Sequence, residues 1–215
     1  MSIPFLFDGP QSARFTLMIA HGAGAPMDSL AMESIAKALG DAGFRVARFE
    51  FAYMAARRRG ARKPPPKAEL LIPEYRAAVD ALAADGPLII GGKSMGGRVA
   101  SMLADELHAK GVIAGLLCLG YPFHPPANPA QLRIAHLRAL KTPALICQGT
   151  RDPFGTRTEA AAWPLSPAIE FLWLEDGDHD LRPRKKITGL SASDHLATLC
   201  AHTRAWADRL APARG

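Results

Sequence analysis

Pro87-Leu88-Ile89-Ile90-Gly91-Gly92-Lys93-Ser94-Met95-Gly96-Gly97-Arg98-Val99-Ala100 joins an apolar run to a helical pattern with no loop between them. Leu88 to Ile90 read as a short strand buried on both faces, and Met95 to Ala109 as a helix. Gly92 and Gly96 stand two residues before and two after Ser94, at the junction. A serine so placed occupies a turn so sharp that side chains at the flanking positions would collide, and the turn lifts its hydroxyl clear of the backbone. The spacing points to acyl-transfer hydrolysis with Ser94 as nucleophile. Two other readings compete. A phosphate-binding loop needs a glycine where Pro87 stands, and exposed loop amides where the apolar strand runs. Glycines that only let a helix pack closely on a sheet would leave the pentapeptide as coincidence, so the rest of the chain must decide.

Outward from this junction, short apolar runs recur at Phe15 to Ala20, Phe44 to Phe51, Val112 to Leu119, Ala144 to Cys147 and Ile169 to Leu174. Helical patterns lie between them. Asp28 to Leu39 places Leu30, Ile35 and Leu39 inward, and Glu69 to Ala84 does so with Leu71, Tyr75, Val79 and Leu82. Ser193 to Leu210 carries Leu196, Leu199, Trp206 and Leu210 on one side. The alternation predicts an α/β fold, with a mostly parallel sheet of about six to seven strands, right-handed crossovers and helices on both faces. The ligand site of such a sheet lies beyond the carboxyl ends of its strands. Asp8-Gly9-Pro10 marks a turn, so Ile3 to Phe7 is expected to add an edge strand beside Phe15 to Ala20. Arg57 to Lys67, with Pro64-Pro65-Pro66, reads as a long surface connection.

With 215 residues and 48% hydrophobic content, the chain is expected to form one domain over 1–215. Its three cysteines exclude a disulfide framework. Cys118, Cys147 and Cys200 fall in apolar positions and read as packing residues. Met1 to Asp8 lacks a basic segment followed by a long apolar stretch, and no run reaches membrane-spanning length. A cytoplasmic protein without a membrane partner is the expectation. The net charge of +6 gathers at Arg57-Arg58-Arg59, Arg62-Lys63, Arg182 and Arg184-Lys185-Lys186. No aromatic residues interleave these runs, so solvated loops suit them better than a nucleic-acid surface. The basic residues near His179 make anionic substrates a class to test.

A serine hydroxyl attacks only when a base takes its proton, and the base needs an orienting carboxylate. In α/β-hydrolases, whose nucleophile turn Gly92 to Gly96 resembles, the order along the chain is serine, acid, histidine, each from a loop at a strand's carboxyl end. Ala144 to Cys147 leads into Gln148-Gly149-Thr150-Arg151-Asp152, which places Asp152 just past a strand. Ile169 to Leu174 leads into Glu175-Asp176-Gly177-Asp178-His179-Asp180, which places His179 past the next. His195 and His202 fall within the final helix, and His108 within the helix after Ser94, away from that edge. Asp176, Asp178 and Asp180 sit too close in sequence to His179 to reach the far side of its ring without strain. The oxyanion needs the amide after the nucleophile and a second from an earlier loop. Met95 supplies the first, at a helix amino end that favours negative charge. His21-Gly22-Ala23-Gly24-Ala25-Pro26 supplies the second, with Ala23 the first choice and Gly24 the alternative. His21 reads as an anchor for that loop rather than a metal ligand.

Five segments, His21-Gly22-Ala23-Gly24, Gly92 to Gly97, Leu119-Gly120-Tyr121-Pro122-Phe123-His124-Pro125-Pro126, Gln148 to Gly155 and Gly177-Asp178-His179-Asp180-Leu181, together resemble the α/β-hydrolase superfamily. More narrowly they resemble small bacterial hydrolases related to the hydrolase-like domains of testis-expressed proteins and of an NSL-complex subunit. The resemblance implies a triad of Ser94, Asp152 and His179, with oxyanion donors at Met95 and the Ala23 region. Such a mechanism requires no metal and no organic cofactor. The connection Gly120 to Thr142 is too short for a bulky lid and predicts a proline-rich loop with one short helix containing Arg133, His136 and Leu137. Tyr121, Phe123, His124 and Gly24 are candidates for lining the pocket, with a packed loop as the equal alternative for the first three. A carboxylic-ester hydrolase acting on a small acyl substrate is the expected function. Thioesters, amides and peptides share the machinery, and an interaction protein that keeps the fold without activity is the alternative class.

Overall fold

A computed structural model describes residues 3–61 and 64–210. Its strands are β1 (Phe5–Asp8), β2 (Thr16–Ala20), β3 (Arg45–Phe49), β4 (Leu88–Lys93), β5 (Gly115–Leu119), β6 (Ala144–Gly149) and β7 (Ile169–Leu174). The helices are α1 (Leu30–Asp41), α2 (Ala52–Arg58), α3 (Ile72–Leu82), α4 (Met95–Ala109), α5 (Arg157–Ala160), α6 (Lys185–Thr188) and α7 (Ala192–Asp208), with 3-10 turns at Ala68–Leu71 and Ala135–Leu137. The strands form one sheet in the order β1-β3-β2-β4-β5-β6-β7. Every pairing is parallel except that of β1 with β3. This is the fold of α/β hydrolases, without a large lid.

The continuous apolar runs follow from burial on both faces. Met18, Ile90, Leu116 and Ile146 pack to one side with Tyr75, Val79, Val99 and Leu103. Leu17, Ile89, Leu117 and Leu145 pack to the other with Ile35, Leu39, Leu199 and Trp206. Strand residues thus divide between two cores with the period of two that a pleated strand imposes. The chain leaves β2 for β3 on one side, then crosses to β4 on the other. This reversal opens a crevice beyond the carboxyl ends of β2 and β4.

Some sequence expectations change. The edge strand β1 pairs with β3, from Phe5 opposite Phe49 to Asp8 opposite Val46, and not with β2. Both flanks of β2 are occupied by parallel neighbours, and Arg48 on β3 holds the Asp8 carboxylate at 2.8 Å. Leu30 is 80% exposed, and Met32, Ile35, Ala36 and Leu39 form the inward face of α1. Arg57 and Arg58 close α2 instead of opening a loop, and Arg58 bonds both Glu50 and Asp28. Arg62 and Lys63 lie outside the described residues. After β5 the predicted short helix shrinks to Ala135–Leu137, which leaves Arg133 before it.

Candidate active site

The turn between β4 and α4 is as tight as its glycines imply. A Cβ on Gly92 would lie 2.4 Å from the Ala20 carbonyl oxygen, and one on Gly96 2.5 Å from the same atom. Only hydrogen fits in either place, because α4 starts directly against the end of β2. Ser94 itself adopts φ 51°, a region that residues with a Cβ rarely enter. Its backbone N–H donates to the Leu119 carbonyl at 2.9 Å, and its carbonyl accepts from Arg98 at 3.0 Å.

The loops after β6 and β7 bring Asp152 and His179 to this hydroxyl. Ser94 Oγ lies 2.9 Å from His179 Nε2, and His179 Nδ1 lies 2.8 Å from Asp152 Oδ2. With Nδ1–H donating to the carboxylate, Nε2 is left to accept from the serine. Asp152 is fully buried. Its Oδ1 accepts from the Phe154 amide at 2.9 Å, and its Oδ2 also accepts from Gln148 Nε2 at 2.9 Å. The imidazole lies against the Phe154 ring, with centroids 4.2 Å apart, which limits its rotation. The neighbouring acids have other partners. Asp176 bonds Arg184, whose guanidinium and amide hold its carboxyl down to about 2. Asp178 accepts from the amides of Asp180 and Arg182, and Asp180 pairs with Lys93.

Two supporting residues have no motif to announce them. Gln148 accepts from the Tyr121 amide at 2.7 Å and donates to the Gly155 carbonyl as well as to Asp152. One carboxamide thereby ties the loops after β5 and β6 to the acid. Lys93 immediately precedes Ser94, and its ammonium reaches back to the His179 carbonyl at 2.7 Å and Asp180 at 3.2 Å. Its burial lowers the lysine pKa, opposed by Asp180. The bonds of Gln148 to Tyr121 and of Lys93 to His179 could not be read from spacing, because each joins two different strand ends. Lys93→Met is expected to lower kcat about 10-fold with little change in KM, because losing a charge-assisted hydrogen bond lets the histidine loop drift. Steady-state kinetics on a short ester checks this, and an unchanged kcat would remove the positioning role.

The loop after β2 faces Ser94. His21 is fully buried, donates through Nδ1 to Gly22 O at 2.7 Å and accepts through Nε2 from the Phe51 amide at 3.2 Å. Burial lowers its pKa, and the pattern needs the neutral ring. Tyr53 Oη donates to Gly22 O and Ala23 O at 3.3 and 3.2 Å, and Arg57 Nη1 donates to Ala23 O at 3.3 Å. The two ends of α2, through Tyr53 and Arg57, thus brace a loop of small residues. The amides of Met95 and Ala23 donate to no protein acceptor among the described residues. Both residues line a cleft of about 1220 Å³ with Ser94 and Phe154.

The remaining pocket candidates are corrected. Tyr121 and Phe123 are fully buried and His124 is 2% exposed. They pack inward because the loop after β5 folds beneath Trp163, 4.9 Å from the Phe123 ring, and leaves Pro122 at the cleft. Gly24 sits on the exposed part of its loop, outside the cleft lining. His195 and His202 bond Leu181 O and Glu170 respectively, remote from Ser94 Oγ.

A family model described as an alpha/beta hydrolase domain matches residues 13–208. The chain is also similar to an alpha-beta serine hydrolase homologue from Coxiella burnetii, at 17% identity and TM-score 0.67, covering 92% of this chain and 88% of that one. It is similar to a dienelactone hydrolase from Anabaena variabilis at 19% identity and TM-score 0.70, covering 96% and 91%. A serine hydrolase without a lid from Xanthomonas campestris aligns at 16% identity and TM-score 0.65, covering 95% and 88%.

Proposed function

Because the chain belongs to the alpha/beta hydrolase domain family, we propose that it is a serine hydrolase acting on carboxylic esters, with residues 1–215 forming one domain. The observation that carries the reading is the unbroken relay from Ser94 Oγ through His179 to a buried carboxylate, at 2.9 and 2.8 Å. Ser94 Oγ attacks the ester carbonyl carbon while His179 Nε2 takes its proton. Asp152 stays ionised and stabilises the imidazolium. Negative charge on the carbonyl oxygen is met by the Met95 and Ala23 amides, a donor typically contributing roughly 3 kcal/mol to the transition state. His179 then protonates the departing alcohol, which leaves an acyl-serine. Water enters, loses a proton to His179 and releases the acid, and the serine is restored.

Within the family, the His21 to Gly24 and Gly177 to Leu181 segments support placement with the small hydrolases related to the testis-expressed and NSL-complex domains. Among the described residues no helix is long and apolar enough to cross a membrane. Three free thiols support a reducing, cytoplasmic setting. The test is a fluorophosphonate probe. Folded wild-type protein is expected to gain one adduct, mapped by peptide mass spectrometry to Ser94. An unlabelled folded protein would favour an interaction protein that keeps only the fold.

A further inference from the structure

The cleft beside Ser94 has a cationic wall that the hydrolytic relay does not use. Arg98 and Arg133 line it, Lys67 stands at its exposed rim, and Leu70, Met102 and Leu132 supply apolar surface. Arg98 lies one helical turn past Ser94, about 6 Å along the α4 axis. Its terminal nitrogen pairs with Glu69, but its Nε is buried without an acceptor. Arg133 has no carboxylate at ion-pair distance, and its guanidinium donates no hydrogen bond among the described residues. Burial and the field of Arg98 both lower its pKa, so the two guanidinia oppose each other. Among the described residues that line the cleft, Glu69 is the one acid. His136 adds no charge, because its Nε2 lies 2.8 Å from the Ser101 hydroxyl and burial with Arg98 pushes its pKa down to about 4. Among the described residues lining the cleft, two arginines and a lysine therefore accompany a single carboxylate.

We propose that this wall binds a free carboxylate carried by the ester substrate, which makes the preferred substrate class half-esters of short dicarboxylic acids. The assignment rests on the hydrolase reading of Ser94. An arginine fork matches a carboxylate in two parallel hydrogen bonds, and the apolar side chains Leu70, Met102 and Leu132 in the same cleft suit a few methylene groups. Arg133 is then a specificity-determining residue, which takes no part in bond making.

The test compares p-nitrophenyl hemiglutarate with neutral p-nitrophenyl valerate, in parallel with calorimetric titration by glutarate. Wild type is expected to favour the half-ester in kcat/KM by about 10- to 100-fold, the range for hydrogen bonds to a charged group. Arg133→Gln should bring the ratio near one and weaken glutarate at least about 10-fold, and Arg133→Glu should reverse the order. Circular dichroism establishes that both variants fold. Equal use of the two esters by wild type, or a preference that survives both substitutions, would overturn the assignment. Where neither ester is hydrolysed, glutarate binding decides. Binding lost in Arg133→Gln sustains the wall while the hydrolase reading falls, and absent or unaltered binding removes the wall.

Discussion

Ser94→Ala is expected to fold and to lose ester hydrolysis by about 10⁶-fold in kcat, the scale seen when the nucleophile of such a relay is removed. The substitution deletes one oxygen and keeps the Cβ, so the strained turn and its packing against Gly22 are retained. What disappears is the atom 2.9 Å from His179 Nε2. Any remaining rate would come from the oxyanion donors and binding alone. Turnover of a short p-nitrophenyl ester, with thermal melting as the control for folding, measures the effect. A variant that kept a tenth of the wild-type rate would show that Ser94 is not the nucleophile.

Asp152→Asn is expected to cost roughly 10⁴-fold in kcat through loss of the correct imidazole tautomer and of the charge that stabilises it. The surroundings make the amide a poor substitute in either orientation. With its nitrogen in the place of Oδ2, it meets the Gln148 NH₂ and forces His179 to accept rather than donate. With its nitrogen in the place of Oδ1, it faces the Phe154 N–H. One buried donor is left opposite another in both cases, which should also remove about 1 to 3 kcal/mol of stability. Kinetics and denaturant titration report the two losses separately. A kcat within about 10-fold of wild type would mean that Asp152 does not orient the base.

Much of the sheet was legible locally. Buried parallel strands must be apolar on both faces, and the runs at Thr16–Ala20, Leu88–Lys93 and Ala144–Gly149 stand out for that reason. The order Ser94, Asp152, His179 was legible because each of the three follows an apolar run that reads as a strand. Pairing partners were not. The strand at Phe5–Asp8 could add to either neighbour on sequence alone, and the choice fell to β3 because β4 takes the other side of β2. Tyr121 and Phe123 carry the same letters whether they face a cleft or a core, and it is the Trp163 ring over Phe123 and the Ser101 and His136 side chains around the Tyr121 hydroxyl that put them inside. The bonds of Lys93 to His179 and of Gln148 to Tyr121 escaped notice for a related reason. These partners are brought near by the crossovers, and no periodicity encodes such meetings. The basic residues that sequence placed near the base turn partly to Asp176, while the cationic groups that reach the cleft come from α4, the loop after β5 and, with Lys67, the segment before Ala68–Leu71.

The φ of 51° at Ser94 sets fitness against durability. A residue held in such a region costs on the order of 1 to 3 kcal/mol, a sizeable part of what a domain has in hand. Glycine would relieve that cost and serine cannot. Selection for a sturdier chain and selection for a reactive one thus pull the same position in opposite directions. A lineage that gave up the chemistry would have a thermodynamic reason to lose this serine first.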